Sequence, residues 1–327
     1  MRIVIAGAVS STLATLNQMI KHGMDVVGVL GYEPESIKNV SGYALLKPIA
    51  EDNNLPYKAF YKINDQAIID QIQEWKPDLL FVVGLSQLVS DQIIQIPTNG
   101  VVGFHPTVLP KGRGRAPITW TVLNEKQGGA NFFFIGDGVD NGPILEQELF
   151  DVSEDDYAED IELKILEAIA NALDRLLPRI KQGDITAIPQ DDKKASYYGR
   201  RAPNDGLINW QTDANTIYSL IRASSKPHPG AITFKEDLKV IVWRAKLADK
   251  ELNYTGVVGR ILDANEEDHV LVQTGNGLLW ITEYEAYDLE GNKLQQALKV
   301  GQKLGYYTDI ELFKLKQEID QLKKALK

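Results

Sequence analysis

Two side chains in the first half of the chain, one imidazole and one carboxylate, are of the types that perform acid–base chemistry together. His105 ends an apolar segment that runs into a loop rich in proline and glycine, and Asp140 follows an aromatic-rich segment within a Gly-Val-Asp-Asn-Gly sequence. Strand ends are where an α/β sheet presents groups to ligands. A carboxylate beside an imidazole fixes the ring tautomer and favours the charged ring. We therefore expect the two to meet, although a structural histidine and an ordinary turn aspartate remain the alternatives.

The segments that must position this pair alternate between strand and helix. Short apolar runs predict strands at residues 2–6, 25–30, 56–60, 78–83 and 100–105. The amphipathic segments between them predict helices, and this alternation is typical of a mostly parallel sheet covered on both faces. The predicted fold class is therefore α/β, with a doubly wound, Rossmann-like sheet. A further predicted strand at 131–135 leads to Asp140, and a long helix is predicted at 160–181.

The second half of the chain has a different texture, with short apolar runs separated by turn sequences. The runs with strand character lie at residues 239–245, 255–262, 270–274 and 277–284. Short strands at this spacing predict a small β-barrel, which we describe as OB-like. The predicted domains are a catalytic domain at 1–190, a linker at 191–203, the barrel at 204–306 and an amphipathic helix at 307–327.

The C-terminal helix carries a regular apolar pattern. Its apolar residues recur at spacings of three, four, three and four, at Leu312, Leu315, Ile319, Leu322 and Leu326. This is the a/d seam of a heptad repeat. The seam predicts either a helix that packs on its own domain or a contact that joins two copies as a homodimer.

Composition narrows the classes of function. The 35 Lys and Arg against 45 Asp and Glu give a formal net charge of −10, which does not favour a large nucleic acid as partner. Because the chain contains no cysteine, disulfides and thiolate nucleophiles are excluded. No His and carboxylate cluster has the spacing of metal ligands, so no metal is expected. No apolar stretch is long enough to span a membrane, and we expect a cytoplasmic protein without a membrane partner.

The segment at 105–117 resembles the His-x-x-x-Leu-Pro…Gly…Pro signature of the folate-dependent formyltransferases, and Asp140 matches that family's Gly-Leu-Asp-x-Gly element. The resemblance covers nearly the whole chain. It implies transfer of a formyl group from N10-formyltetrahydrofolate to an amine, with His105 and Asp140 as catalytic residues. The family's catalytic set also contains an asparagine, whose position is Gly103 here. We expect water, the backbone of Gly103 or the amide of Asn131 to supply the missing donor.

The resemblance also implies a folate pocket, formed largely by backbone groups of two segments that follow strands. The expected folate-binding residues are Gly84, Leu85, Ser86, Leu88, Val89, Gly136, Asp137, Gly138, Val139 and Asp140. An acceptor with phosphate groups is expected at the start of the first helix and at two basic segments. The first basic segment, 111–115, could instead contact the anionic tail of folate, and Arg200 and Arg201 in the second could instead stabilise the domain junction. The candidate substrate-binding residues are Ser10, Lys111, Arg113, Gly114, Arg115, Arg200 and Arg201.

The linker favours one class of acceptor. Residues 197–210 resemble the linker of amino-sugar N-formyltransferases, with Tyr197, Tyr198 and Trp210 as candidates to stack on a nucleobase. The acidic charge balance and the absence of a long basic insertion after residue 111 also favour a nucleotide-linked amino sugar. Methionyl-tRNA formyltransferase is the alternative. Because the asparagine position is altered, a 10-formyltetrahydrofolate hydrolase and a non-catalytic folate-binding or interaction protein also stay open.

Overall fold

The computed structural model describes residues 1–37, 40–249, 251–295 and 298–326. The chain divides into two compact units, Met1–Arg201 and Ala202–Lys327. Among the described residues, no helix combines the length and the apolar character needed to cross a membrane.

The N-terminal unit contains a 7-stranded sheet. Its strands are β1 (Arg2–Gly7), β2 (Asp25–Tyr32), β3 (Tyr57–Phe60), β4 (Leu79–Val83), β5 (Val101–His105), β7 (Gln127–Phe134) and β8 (Ile144–Asp151), and a separate short pair consists of β6 (Arg113–Gly114) and β9 (Tyr197–Tyr198). Its helices are α1 (Ser10–Lys21), α2 (Lys47–Asp52), α3 (Gln66–Trp75), α4 (Asp91–Ile94), α5 (Pro117–Asn124) and α6 (Ala158–Lys181). The strand order is β3-β2-β1-β4-β5-β7-β8.

The strands at the centre of this sheet are almost entirely apolar and buried. All residues of β4 are buried, as are all residues of β1 after Arg2. Parallel strands covered by helices on both faces require such continuous apolar runs. β1 pairs in parallel with β2 and β4, and β4 pairs in parallel with β5. The predicted α/β fold class is thus confirmed.

The strand that leads to Asp140 runs against the parallel part of the sheet. β7 is antiparallel to β5, with His105 registered against Asn131 and Val102 against Phe134. The carboxyl end of β7 therefore lies beside the start of β5. The expectation that His105 and Asp140 follow neighbouring strand ends on one edge is wrong, because the loop at 135–143 has to carry Asp140 back to His105.

The C-terminal unit contains a 6-stranded antiparallel sheet with the order β10-β11-β14-β13-β12, in which β15 also pairs with β14. Its elements are α7 (Ala214–Ser224), β10 (Ala231–Lys235), β11 (Leu238–Leu247), β12 (Ile261–Ala264), β13 (Val270–Gln273), β14 (Leu278–Tyr287), β15 (Lys293–Leu294) and α8 (Thr308–Ala325). The strand predicted at 255–262 begins only at Ile261. Gly259 precedes it with φ of +82°, a left-handed conformation that a regular strand does not contain.

The last helix, α8, has no buried residue. The seam residues Leu312, Leu315, Ile319 and Leu322 are each about half exposed or more, with Ile319 the least exposed at 49%. Of the two possibilities that the heptad pattern leaves, packing on the helix's own domain is therefore wrong for this structure.

Candidate active site

His105 is the last residue of β5, and its side chain is only 5% exposed. Its Nε2 atom lies 2.8 Å from the carbonyl oxygen of Gly112. Because a carbonyl oxygen only accepts hydrogen bonds, Nε2 must carry the hydrogen. The other ring nitrogen, Nδ1, lies 3.5 Å from Oδ2 of Asp140, within range of an ion pair but longer than a good hydrogen bond. The ring thus presents an N–H to a carbonyl on one side and faces a carboxylate on the other.

Asp140 is held in place through its side chain and its backbone. Its φ is +48°, in the left-handed region that non-glycine residues seldom occupy. Its Oδ2 accepts a hydrogen bond of 2.8 Å from the amide of Gly114. Its own carbonyl accepts one of 2.8 Å from Nε2 of Gln190, which also donates to the carbonyl of Gly142. Since left-handed backbone is unfavourable for aspartate, these contacts are what hold the carboxylate toward His105.

Arg113 links this arrangement to the segment after the sheet. Its side chain is 1% exposed and donates to Oε1 of Gln190 at 2.9 Å, to Oδ1 of Asp192 at 2.8 Å and to the hydroxyl of Tyr197 at 3.1 Å. Burial acts to lower the pKa of Arg113, but the hydrogen bonds to Asp192 and Tyr197 outweigh burial and raise the pKa above its ordinary value. The expectation that Arg113 meets a ligand phosphate is corrected here, because the guanidinium is enclosed by partners from the chain itself.

Asn131 lies opposite His105 on β7 and is fully buried. Its Nδ2 donates to the carbonyl of His105 at 2.7 Å and to that of Thr107 at 2.6 Å, while its Oδ1 accepts from Gln147 at 2.5 Å. Both amide hydrogens are therefore committed to backbone carbonyls. The expectation that Asn131 donates to a reacting oxygen is corrected: its amide fixes the path of the loop that leaves His105.

Gly103 occupies the position where the family pattern has asparagine. A Cβ atom added there would lie 2.9 Å from Cζ of Phe133 and 3.2 Å from Cγ1 of Ile135. The ring of Phe133 thus fills the space that the first atom of an amide side chain would need. The backbone of Gly103 lies in a strand flanked by β4 and β7, where amides point toward neighbouring strands. Neither feature supplies the missing donor.

The first predicted folate segment, at 84–89, follows β4 and is anchored from within. Gly84 has φ of +61°, and a Cβ there would lie 2.2 Å from Cγ2 of Val9. Leu85 and Val89 pack against the buried apolar cluster of the sheet. Leu88 is 87% exposed. The segment therefore presents one free apolar side chain at a strand end, and Ser86 is exposed beside it.

The second predicted folate segment, from Gly136 to Val139, is exposed throughout. Val139 is 55% exposed, and the amide of Gly138 donates to Oδ1 of Asn141 at 3.2 Å. Asp137 lies in the same exposed stretch. This loop offers accessible backbone groups next to Asp140.

The predicted anion site at the start of α1 is occupied by the chain itself. The hydroxyl of Ser10 donates to Oε1 of Glu162, and its amide donates to the carbonyl of Gly42 at 3.0 Å. The amides of Ala8 and Val9 approach Oγ1 of Thr12 at 3.1 and 3.3 Å. Ser10 therefore has no free donor for a substrate phosphate, which corrects its predicted role.

The remaining basic candidates stay at the surface. Lys111, Arg115 and Arg200 are exposed. Gly114 gives its amide to Asp140, and the amide of Arg115 donates to the carbonyl of Tyr198 at 3.1 Å, so β6 holds the backbone of this basic segment. The guanidinium of Arg201 lies 5.3 Å from the ring centre of Trp120. Exposed cations thus remain available near the segment that holds Asp140.

The three aromatic residues expected to stack on a base have different surroundings. Tyr198 stacks on Trp120 with ring centres 5.7 Å apart, and its hydroxyl donates to Glu125. Burial, followed by the hydrogen bond to Glu125, raises the pKa of Tyr198. Tyr197 is 65% exposed. Trp210 is 5% exposed and donates from Nε1 to Thr233 at 2.9 Å, so its predicted stacking role is wrong and it belongs to the core of the C-terminal unit.

Two glutamines that the sequence does not single out complete the site. Gln190 connects Arg113 to the backbone of Asp140, and Gln147 connects Asn131 to the carbonyl of Leu109 at 3.1 Å. Both lie in polar stretches with no local pattern that marks a site. Only the fold reveals that they satisfy the buried polar groups around His105 and Asp140.

The comparison with family models matches both parts of the chain. The model described as formyl transferase matches residues 1–177, and the model described as formyl transferase, C-terminal domain, matches residues 201–299.

Solved structures share this fold at low sequence identity. HypX from Aquifex aeolicus is 16% identical with a TM-score of 0.65; the match covers 90% of this chain but 47% of HypX, so the chain spans about half the length of that protein. An N-formyltransferase from Helicobacter canadensis, solved with folinic acid and dTDP-3-aminofucose, is 19% identical with a TM-score of 0.64 and coverages of 86% and 98%. Methionyl-tRNA formyltransferase from Clostridium thermocellum is 19% identical with a TM-score of 0.54 and coverages of 77% and 95%.

Proposed function

Because the chain belongs to the formyl transferase family, we propose that it is an enzyme that transfers a formyl group from N10-formyltetrahydrofolate to the amine of a nucleotide-linked amino sugar. The observation that carries the proposal is the pair at the end of β5. His105 has a protonated Nε2 that already donates to a carbonyl oxygen, and its Nδ1 lies 3.5 Å from the carboxylate of Asp140.

The two predicted folate segments expose groups of the kinds that bind a folate. Leu88 is 87% exposed and Val139 is 55% exposed, and the backbone between Gly136 and Val139 is accessible. A flat heteroaromatic ring binds well where apolar side chains lie next to a few fixed backbone donors and acceptors. When bound, N10-formyltetrahydrofolate supplies the formyl carbonyl that an amine attacks.

In the proposed mechanism, Nε2 of His105 donates to the formyl oxygen in place of the carbonyl of Gly112. Negative charge grows on that oxygen as the amine attacks, and a preoriented donor stabilises it. Asp140 faces Nδ1 and stabilises the positive charge of the ring as it forms. The proton that the amine loses passes to this pair, and from there to N10 as the bond between N10 and the formyl carbon breaks, so that tetrahydrofolate leaves and the formamide remains on the acceptor. The side chains of His105 and Asp140 are held in position by Asn131, Gln190 and Arg113, which do not contact the substrate.

The charge of the chain supports the amino-sugar acceptor. The net charge of −10 is unfavourable for a large polyanion such as tRNA, whereas the exposed side chains of Lys111, Arg115 and Arg200 suffice for a single diphosphate. The relative from Helicobacter canadensis, which was solved with a dTDP-linked amino sugar, is matched over 98% of its length.

An activity screen tests the proposal. The full chain is incubated with N10-formyltetrahydrofolate and, separately, with UDP-, dTDP- and GDP-linked amino sugars and initiator methionyl-tRNA, and products are identified by mass spectrometry. We expect the wild-type chain to formylate a sugar nucleotide and His105→Ala to lose this activity. His22→Ala should keep it, because His22 contacts Asp174 away from the site. Formylation of the tRNA alone would overturn the acceptor, and no turnover under any condition would overturn the enzymatic function.

Gly103 favours one second candidate, the hydrolysis of N10-formyltetrahydrofolate. The side-chain amide that the family pattern provides as a second hydrogen-bond donor is absent, and the space is filled by Phe133. Release of formate and tetrahydrofolate without any acceptor, at a rate that amino sugars do not change, would establish hydrolysis instead of transfer.

A further inference from the structure

The apolar face of α8 is exposed along its whole length. The helix has 18 residues and none of them is buried. Leu312, Leu315, Ile319 and Leu322 form one stripe along it and are between 49% and 63% exposed. Most of the stability of an amphipathic helix in a protein comes from the packing of its apolar face, so the exposed stripe of α8 indicates a partner that covers it.

The charges beside the stripe identify the partner. When Leu312 and Ile319 are placed at heptad position a, and Leu315 and Leu322 at position d, the g positions hold Glu311 and Glu318. The e positions that follow them, five residues later in each case, hold Lys316 and Lys323. In a parallel coiled coil each g residue meets the e residue of the next heptad on the partner. A second copy of this helix therefore places glutamate opposite lysine at both steps, in both directions.

The same charges disfavour the antiparallel arrangement. Antiparallel helices bring g opposite g and e opposite e. At the centre of the helix, in the register that sets residue 312 against residue 322, this places Glu318 against Glu318 and Lys316 against Lys316. Within the described part of the chain, Lys316, Glu318 and Lys323 form no ion pair with another side chain. Glu311 pairs with Lys314 of its own helix at 3.0 Å, an exposed contact of the kind that contributes little and that a pair between copies can replace. Ile at an a position with Leu at the d positions is also compatible with two strands.

We propose that α8 forms a parallel, two-stranded coiled coil with α8 of a second copy of this chain. The a and d residues form the contact, and the pairs Glu311–Lys316 and Glu318–Lys323, each between copies, set its direction. The resulting homodimer has twofold symmetry, and this inference does not depend on the proposed enzymatic function.

Charge reversal tests the pairing on the full chain. One protein carries Glu311→Lys and Glu318→Lys, and another carries Lys316→Glu and Lys323→Glu. Each alone places like charges at every step, so we expect its dimer affinity to fall on the order of tenfold or more in sedimentation equilibrium. Mixed in equal amounts, the two should form a heterodimer of about twice the chain mass of 36.5 kDa. Homodimers of unchanged affinity, or a mixture that does not pair, would overturn the proposal.

A single introduced thiol tests the direction, because the chain has no cysteine. In the parallel dimer, Leu322→Cys places two thiols opposite each other at a d position, within reach of a disulfide. In an antiparallel pair that sets residue 322 against residue 312, they lie roughly 15 Å apart. We expect a disulfide-linked dimer after mild oxidation, and little from Asp320→Cys on the outer face. Failure of Leu322→Cys to crosslink would overturn the parallel arrangement.

A pair of seam and surface variants keeps the test independent of charge. Ile319→Asp buries a carboxylate in the proposed seam and should give a monomer at all concentrations tested. Phe313→Ser removes an apolar side chain that is more exposed, at 62%, but lies at a b position outside the seam. It should leave the dimer intact. A wild-type chain that sediments as a monomer, or equal effects of the two variants, would overturn the proposal.

Discussion

The polar network around His105 and the apolar stripe of α8 are opposite solutions to the same physical requirement. Around His105, buried polar groups find partners within the chain, down to the amide of Asn131 and the guanidinium of Arg113. Along α8, apolar side chains find no cover within the described chain. A ligand at His105 must therefore replace hydrogen bonds that the protein already makes. A partner of α8 would instead supply contacts that the protein lacks.

The largest effect is expected when the network around His105 loses the negative charge of Asp140. Asp140→Asn keeps an oxygen for the amide of Gly114 and tolerates left-handed backbone, but it removes the negative charge opposite Nδ1 of His105. We expect kcat/KM for formyl transfer to fall by about 10²–10³, or roughly 2.7–4 kcal/mol. Steady-state kinetics with the acceptor found in the screen measures this. Full activity in Asp140→Asn would show that the network is structural only, while the dimer should be unaffected.

The second test removes the buried cation of the network. Arg113→Met leaves Oε1 of Gln190 without its donor in a buried place, and we expect the free energy of unfolding to fall by about 2–3 kcal/mol. Urea unfolding followed by tryptophan fluorescence gives the change. The matched variant is Arg200→Met, an exposed arginine in the same part of the chain, for which we expect less than about 0.5 kcal/mol. Equal midpoints for both variants would contradict the bracing role of Arg113.

The third test introduces the family's asparagine. Gly103→Asn places a Cβ 2.9 Å from Cζ of Phe133, so we expect a loss of about 1.5 kcal/mol from overpacking. Gly199→Asn is the control, since nothing lies within 4 Å of a Cβ there. Adding Phe133→Leu to Gly103→Asn removes the ring atoms that collide and should restore part of the loss. If Gly103→Asn does not lower the stability, the ring of Phe133 moves aside easily, and overpacking does not explain why the family's asparagine is absent here.

The smallest effect concerns the hydroxyl of Tyr198, at the outer limit of the network. Tyr198→Phe removes the hydrogen bond to Glu125 and should cost about 1 kcal/mol at neutral pH. Because the folded state raises the pKa of Tyr198, the unfolded chain loses its proton first as pH rises, near pH 10. The contribution is therefore complete below about pH 10 and declines above it. Urea midpoints measured from pH 8 to 11 should converge for the two proteins, and a constant difference would contradict this assignment.

The elements that position His105 could be predicted from the sequence, because buried parallel strands are continuous apolar runs with glycine or polar turns at their ends. The sequence also identifies both members of the His105 and Asp140 pair. The direction of β7 could not be predicted, since an aromatic-rich strand has no marker for parallel or antiparallel pairing.

The hydrogen-bond partners of charged and polar side chains could not be predicted from the sequence either. Arg113 lies among Lys111 and Arg115 in a glycine-rich stretch that has the composition of an exposed loop, yet Gln190, distant in sequence, buries it. Ser10 has the pattern of a helix start that binds anions, but Glu162 from α6 takes its hydroxyl. Such partners depend on long-range contacts that no local spacing encodes.

The hydrogen bond between Nε2 of His105 and the carbonyl of Gly112 has a consequence for affinity. Under the proposed mechanism, the formyl donor has an internal competitor that is tethered to the protein and thus present at a high effective concentration. The observed dissociation constant then contains the equilibrium of loop opening as well as the contacts of the ligand. A loop that opens more readily would tighten binding without adding a single contact to the folate.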